Sequence, residues 1–152
     1  MKLGKASRIA AATLGTLSVG TAFATTQPSP SRALPPEHRI GEITYVTGGI
    51  GLQEALAMAH AAKHYPLELV FLHKAGKRDE YLADVPVTIK DSRGDLVFEG
   101  HSEGPYFLAS LPKGHYVVST QWGSTALTRR VEIGSLTQRV VFEWKNAPDT
   151  SA

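Results

Sequence analysis

The sequence predicts a mainly β protein, a β-sandwich of seven short strands with one helix ahead of it. Three observations carry this. From Leu67 onward apolar residues recur with a period of two, the mark of strands with one buried face. Turn residues interrupt that pattern at short intervals, most plainly at Asp91-Ser92-Arg93-Gly94, Pro112-Lys113-Gly114 and Gly123-Ser124. Leu52 to His64 has the three-four spacing of a helix.

Residues 1–24 read as a signal peptide. Lys2, Lys5 and Arg8 form a basic head, Ile9 to Val19 an uncharged apolar run, and Ala22-Phe23-Ala24 supplies the small residues a signal peptidase reads. The run is too short to span a bilayer comfortably. Cleavage after Ala24 is therefore expected, leaving no transmembrane segment, and the protein is expected in the periplasm or secreted beyond it. Residues 25–39, TTQPSPSRALPPEHR, hold four prolines and read as an extended linker. Residues 40–66 form an extension. Glu42 to Thr47 is a short strand, Gly48-Gly49-Ile50-Gly51 breaks it, and the helix follows until Pro66 stops it. Leu52, Leu56, Ala59 and Lys63 mark one helical stripe, and Ala55, Met58 and Ala62 widen its apolar side. Such a helix could cover one end or one open edge of a sandwich.

Residues 67–145 carry the sandwich pattern. Leu67, Leu69 and Phe71 alternate with Glu68 and, less cleanly, Val70. Lys74 to Glu80 reads as a charged loop. Val85, Val87 and Ile89 form the next strand. Pro86 lacks a ladder donor there, which places it at an edge or a bulge. Leu96 to Gly100, Tyr106 to Ser110, Tyr116 to Gln121, Leu127 to Ile133 and Arg139 to Trp144 complete the set, the last with Val140, Phe142 and Trp144 on one face. Residues 146–152 read as a flexible tail.

Composition excludes several functions. The chain has 152 residues, with 16 Lys and Arg against 14 Asp and Glu. The signal carries three of the bases and no acid, so the exported chain has a net charge of −1. That balance gives no electrostatic footprint for nucleic acid. There is no cysteine, hence no disulfide, no thiolate metal site and no lipid carried on an N-terminal Cys.

The segment VPVTIKDSRGDLVFEGHSEGPYFLASLPKGHYVVST, residues 85–120, has a strand ending in Asp91, a turn with Gly94, Ser102 and Gly104 before Tyr106, and Leu111-Pro112-Lys113-Gly114-His115-Tyr116. With it, Tyr81 to Trp144 resembles the carboxypeptidase regulatory-like domain, a transthyretin-like sandwich of the CnaB type. The whole exported chain also resembles small Gram-negative proteins that carry this domain behind a Gly-Gly-Ile-Gly and helix segment. The matching residues are turn formers and core aromatics, so the resemblance implies a fold and no chemistry. Transthyretin-like hydroxyisourate hydrolases end in Tyr-Arg-Gly-Ser, whereas this sequence ends Asp149-Thr150-Ser151-Ala152. CnaB domains often close a Lys–Asn bond, and Asn146 is the sole asparagine. A Lys–Asp bond stays open.

Several residues are candidate sites. His60 and His64 stand one helical turn apart and are candidate metal ligands, with Glu68 or another His needed as a third. The spacing is that of a zincin helix, but Ala61, Ala62 and Lys63 lie between and the Glu base is missing. Gly48-Gly49-Ile50-Gly51 before a helix could bind an anion or simply make a tight turn. Arg93-Gly94-Asp95 spells an integrin-binding tripeptide inside a turn whose chemistry explains the same residues. Lys74, Lys77, Arg78, Asp79, Glu80 and Tyr81, with His101, Glu103 and Tyr106, are candidates for a binding rim. His101, Ser102 and Glu103 are neighbours on a strand, where adjacent side chains point to opposite faces, so proximity alone makes no triad of them. The expected function is a non-catalytic periplasmic binding or scaffolding module with no cofactor. Its expected partner is an envelope protein, with a saccharide as a weaker variant. The alternative is a metal-binding module using His60 and His64.

Overall fold

The computed structural model describes residues 34–146. The expected signal peptide, most of the linker and the tail from residue 147 lie outside that span. Ten strands and one helix follow in the order β1 (His38–Ile40), β2 (Ile43–Gly48), α1 (Leu52–Ala61), β3 (Leu67–Ala75), β4 (Arg78–Tyr81), β5 (Val85–Asp91), β6 (Leu96–Ser102), β7 (Tyr106–Ser110), β8 (Gly114–Trp122), β9 (Thr125–Ile133) and β10 (Gln138–Trp144). A 3-10 turn, Ala62–His64, continues α1. Two sheets form a sandwich, as expected, but with ten strands rather than seven. One sheet has the order β1-β2-β7-β3-β10, with β4 also on β3, and the other β6-β5-β8-β9.

The period-two residues meet between the sheets. Leu67, Leu69 and Phe71 face Val85, Val87 and Ile89, with Phe98, Phe107, Val118, Phe142 and Trp144 filling the layer. β3 breaks the alternation for a structural reason. It lies inside its sheet and is buried on both faces from Leu67 to His73. Even Glu68 is buried there, its carboxylate 3.4 Å from the Arg139 guanidinium on the neighbouring strand. β3 and β10 run parallel, Leu67 to His73 beside Gln138 to Trp144, and Phe71 stacks on its register partner Phe142.

Pro86 sits in a central strand, yet β5 pairs with β8 only from Val87 onward, so at Pro86 the strand is hydrogen-bonded on the β6 side alone. The β5–β6 bulge falls further on, between Ile89 and Lys90. The Tyr116 hydroxyl donates to the Pro112 carbonyl at 2.7 Å and pins the turn before β8.

Three expectations are corrected. The linker's end is structured, since β1 pairs with β2, the His38 ring stacks on Tyr45, and the Tyr65 hydroxyl donates to Glu37 at 2.8 Å. The helix covers the outer face of the first sheet rather than an end or an edge, packing Met58 and Ala62 on Val46 and Leu108. Lys74 to Glu80 is a hairpin rather than a loop. β3 and β4 are joined by Gly76-Lys77, with Gly76 at φ +64°, the positive first position a two-residue turn of this kind needs.

Candidate functional site

The glycine segment sets the entry of α1. Gly48 closes β2, and Gly49 (φ +97°) and Gly51 (φ +82°) then swing the chain out of the sheet. A side chain at Gly49 would also collide with the Tyr106 ring. The Glu54 carboxylate accepts from Gly49 N at 2.7 Å and Ile50 N at 3.3 Å. It occupies the place an anion would take, so the loop is a capped strand-to-helix turn.

Because α1 buries Ala57 and Met58, with Ala62 of the 3-10 turn beside them, its other apolar stripe faces outward. Leu52 is 71% exposed, Leu56 48% and the preceding Ile50 64%. The broad apolar side that the spacing marks is thus split, with Met58 inward and Leu52 and Leu56 outward. The helix packs Met58 against Val46 and Leu108 of the sheet. Leu52, Leu56 and Ile50 instead wall a cleft of about 580 Å³, closed opposite by Pro105, Tyr106 and Tyr81. The two tyrosine rings stack with centroids 6.2 Å apart, and Tyr81 is 58% exposed. Burial, and secondarily Tyr81, raises the Tyr106 phenol above its ordinary pKa, keeping it neutral. Four of the large exposed apolar side chains thus share one concave surface, the character of a binding site rather than of scattered surface residues. Acid–base chemistry has no charged group to work with on its walls.

The expected rim divides. Tyr81 opens into this cleft. Lys74 and Asp79 face each other across the hairpin as an exposed ion pair at 2.9 Å, and the Asp79 hydrogen bond raises the Lys74 pKa. Glu80 lies 3.4 Å from Nδ1 of the buried His73, whose ring rests against Trp122. Lys77 is in the turn and Arg78 at its exit, both exposed.

His60 and His64 are both exposed and border a neighbouring depression with Leu34, Leu56 and Ala61. His60 is in α1 and His64 in the 3-10 turn, so one continuous α-helix does not carry them. No three His, Asp or Glu side chains are grouped to hold a metal among the described residues. Ser102 is fully buried. Its hydroxyl donates to Gly104 O at 2.6 Å and is bonded to the Thr47 hydroxyl at 2.8 Å, which in turn accepts from Glu103 N, a link between the two sheets. His101 and Glu103 are exposed. The Asp91 carboxylate accepts from Arg93 N and Asp95 N, so turn chemistry accounts for Arg93-Gly94-Asp95. Every described lysine is exposed, which leaves none in the core for an internal amide bond. A larger hollow, about 670 Å³, lies over Lys90, Val117, Arg130 and Glu132 on the outer face of the second sheet. Its mixed charges and lack of exposed apolar side chains suit a solvated sheet face.

Ile50, Leu52 and Leu56 are the site residues that the sequence reading did not single out. The signal was present as a helix apolar on two sides, more than one small sheet strip can bury.

No protein-family model matches the sequence, and no curated protein matches it. Among solved structures, the chain is similar to GBS52, the minor pilin of the Gram-positive pathogen Streptococcus agalactiae. The identity is 20%, over 57% of this chain and 46% of that one, with a TM-score of 0.41. The chain spans less than half of that protein's length. Among the described residues, no helix is long and apolar enough to cross a membrane.

Proposed function

We propose that this chain is a non-catalytic binding module of the periplasm that grips an envelope protein through the cleft between α1 and the Tyr81–Tyr106 pair. The carboxypeptidase regulatory-like resemblance of residues 81–144 fits this reading, since that fold supplies a rigid frame on which surface features bind. The carrying observation is the concentration of Ile50, Leu52, Leu56 and Tyr81 on one concave surface. An exposed apolar patch of this kind has a cost in water that association removes. Ser102 is committed to holding the sheets together, and the cleft walls hold no base, which supports binding over catalysis.

The test is photo-crosslinking in the cells that export the protein. A photoreactive residue in place of Leu52 or Leu56 is expected to give a discrete adduct with an envelope protein. The same residue in place of Thr128, on the outer face of the second sheet, is expected to give none. Adducts from Thr128 alone, or none from the cleft, would refute the reading.

A further inference from the structure

The cleft lies beside an unfinished sheet edge. β7 and β4 lie end to end on the same side of β3, opposite Leu67–Val70 and Leu72–Ala75 respectively. β2 lies next to β7 and pairs with it up to Gly48 opposite Tyr106. Had β2 continued straight, its next residues would run alongside β4. Gly49 and Gly51 instead turn the chain away into α1. The lane beside β4 is therefore left without a strand, and β4 pairs with β3 alone among the described residues.

The backbone of β4 shows what that lane offers. Leu82 N donates to Phe71 O at 3.0 Å. In an antiparallel ladder the residues that bond to the partner alternate with those that face away. Leu82, Glu80 and Arg78 therefore turn their backbone groups toward β3, and Asp79 and Tyr81 turn theirs outward. Unpaired N–H and C=O groups on a strand edge are a template for another strand. At Tyr81 the same residue contributes its ring to the apolar cleft.

The geometry points to β-strand addition. An extended peptide segment of the partner would run antiparallel to β4 in the lane β2 vacates, bonding to the backbone of Asp79 and Tyr81. Residues directly opposite on paired strands share a face. The peptide residue opposite Tyr81, which makes the backbone bonds, thus sends its side chain into the cleft against Ile50 and Leu52. The segment must be apolar at alternate positions, and its apolar residues must be the ones that hydrogen-bond. This specifies the partner for the binding reading above and rests on it.

The probe is an acetylated, amidated hexapeptide of alternating valine and threonine, titrated into the full exported protein by calorimetry. Binding is expected with a dissociation constant below about 100 µM. N-methylation of the valines removes the donors to β4 and is expected to abolish binding, whereas N-methylation of the threonines is expected to leave it intact. Asp79→Pro removes an outward N–H without touching the β3 ladder and is expected to weaken binding about tenfold or more. Equal sensitivity to both methylation patterns, or binding by an amphipathic helical peptide in preference to the extended one, would overturn strand addition. So would concentration-dependent dimerisation abolished by Asp79→Pro, which would make a second copy the occupant. If Asp79→Pro fails to fold, the two methylated peptides decide. If no extended peptide binds while the Leu52 crosslink persists, strand addition fails and the cleft reading survives. If the crosslink is absent as well, both fail.

Discussion

At the scale of single residues, polar groups are the sharpest tests of the packing. The Tyr65 phenol is pushed up to about 12, first by burial and then by the Glu37 carboxylate that accepts its hydrogen bond. Because the folded-state pKa lies above the unfolded one, this tyrosine favours folding below pH 10, and its contribution fades as pH rises from 10 to about 12. Absorbance titration should place the phenol near 12, and Glu37→Ala should lower that value only partway, since burial remains. Ser102 offers a second test. Ser102→Ala would leave the Gly104 carbonyl and the Thr47 hydroxyl short of a partner in a buried site, so urea unfolding should show a loss of about 1–3 kcal/mol. A loss near zero would mean the inter-sheet link is dispensable.

At the scale of elements, α1 separates packing from function. Met58 is fully buried against Val46 and Leu108, and Leu52 is mostly exposed. Met58→Ala should cost about 2–5 kcal/mol. Leu52→Ser should change stability by about 0.5 kcal/mol or less, yet remove crosslinking from a neighbouring photoreactive Leu56 position. A large stability loss from Leu52→Ser would place that residue in the core and remove the cleft's outer wall. The β3–β4 hairpin was hidden because five of the seven residues from Lys74 to Glu80 are charged and the stretch carries no period-two apolar signal. Its legible cue was Gly76 in a two-residue turn. The hairpin is held by backbone bonds and by cross-strand pairs such as Lys74–Asp79, which hydrophobic patterning cannot register.

At the scale of the whole molecule, closure depends on the parallel pairing of β10 with β3. Phe142 is fully buried, stacks on Phe71 and contacts Trp144, while the Arg129 guanidinium covers its ring from β9. Phe142→Ala should therefore cost about 3–5 kcal/mol, read as a lowered urea midpoint. Loss of β10 alone without cooperative unfolding would show the strand to be an appendage. Export is tested separately. N-terminal sequencing of the protein from periplasmic fractions should begin at Thr25, and full-length chain confined to the cytoplasm would refute export.

Burial of one strand face leaves a period of two and turns demand particular residues, so the sandwich, most strand positions and the helix are legible along the chain. Val85-Val87-Ile89 was legible in that way, whereas Tyr106 to Ser110, with Phe107, Leu108 and Ala109 buried in succession, carries no such alternation. The sequence also showed that Ser102 points away from His101 and Glu103, since adjacent side chains on a strand alternate faces. Which side of α1 faces inward is settled by packing against the sheet. Leu52, Leu56 and Met58 are all apolar, yet Met58 is the one that packs on Val46 and Leu108. Strand pairing was likewise invisible, because partners distant in sequence leave no local mark. β3 is joined to β10 across some seventy residues, and the lane beside β4 exists only because β2 turns away at Gly49. The cleft is a product of those long-range choices, so its residues could be read in the sequence while their convergence could not.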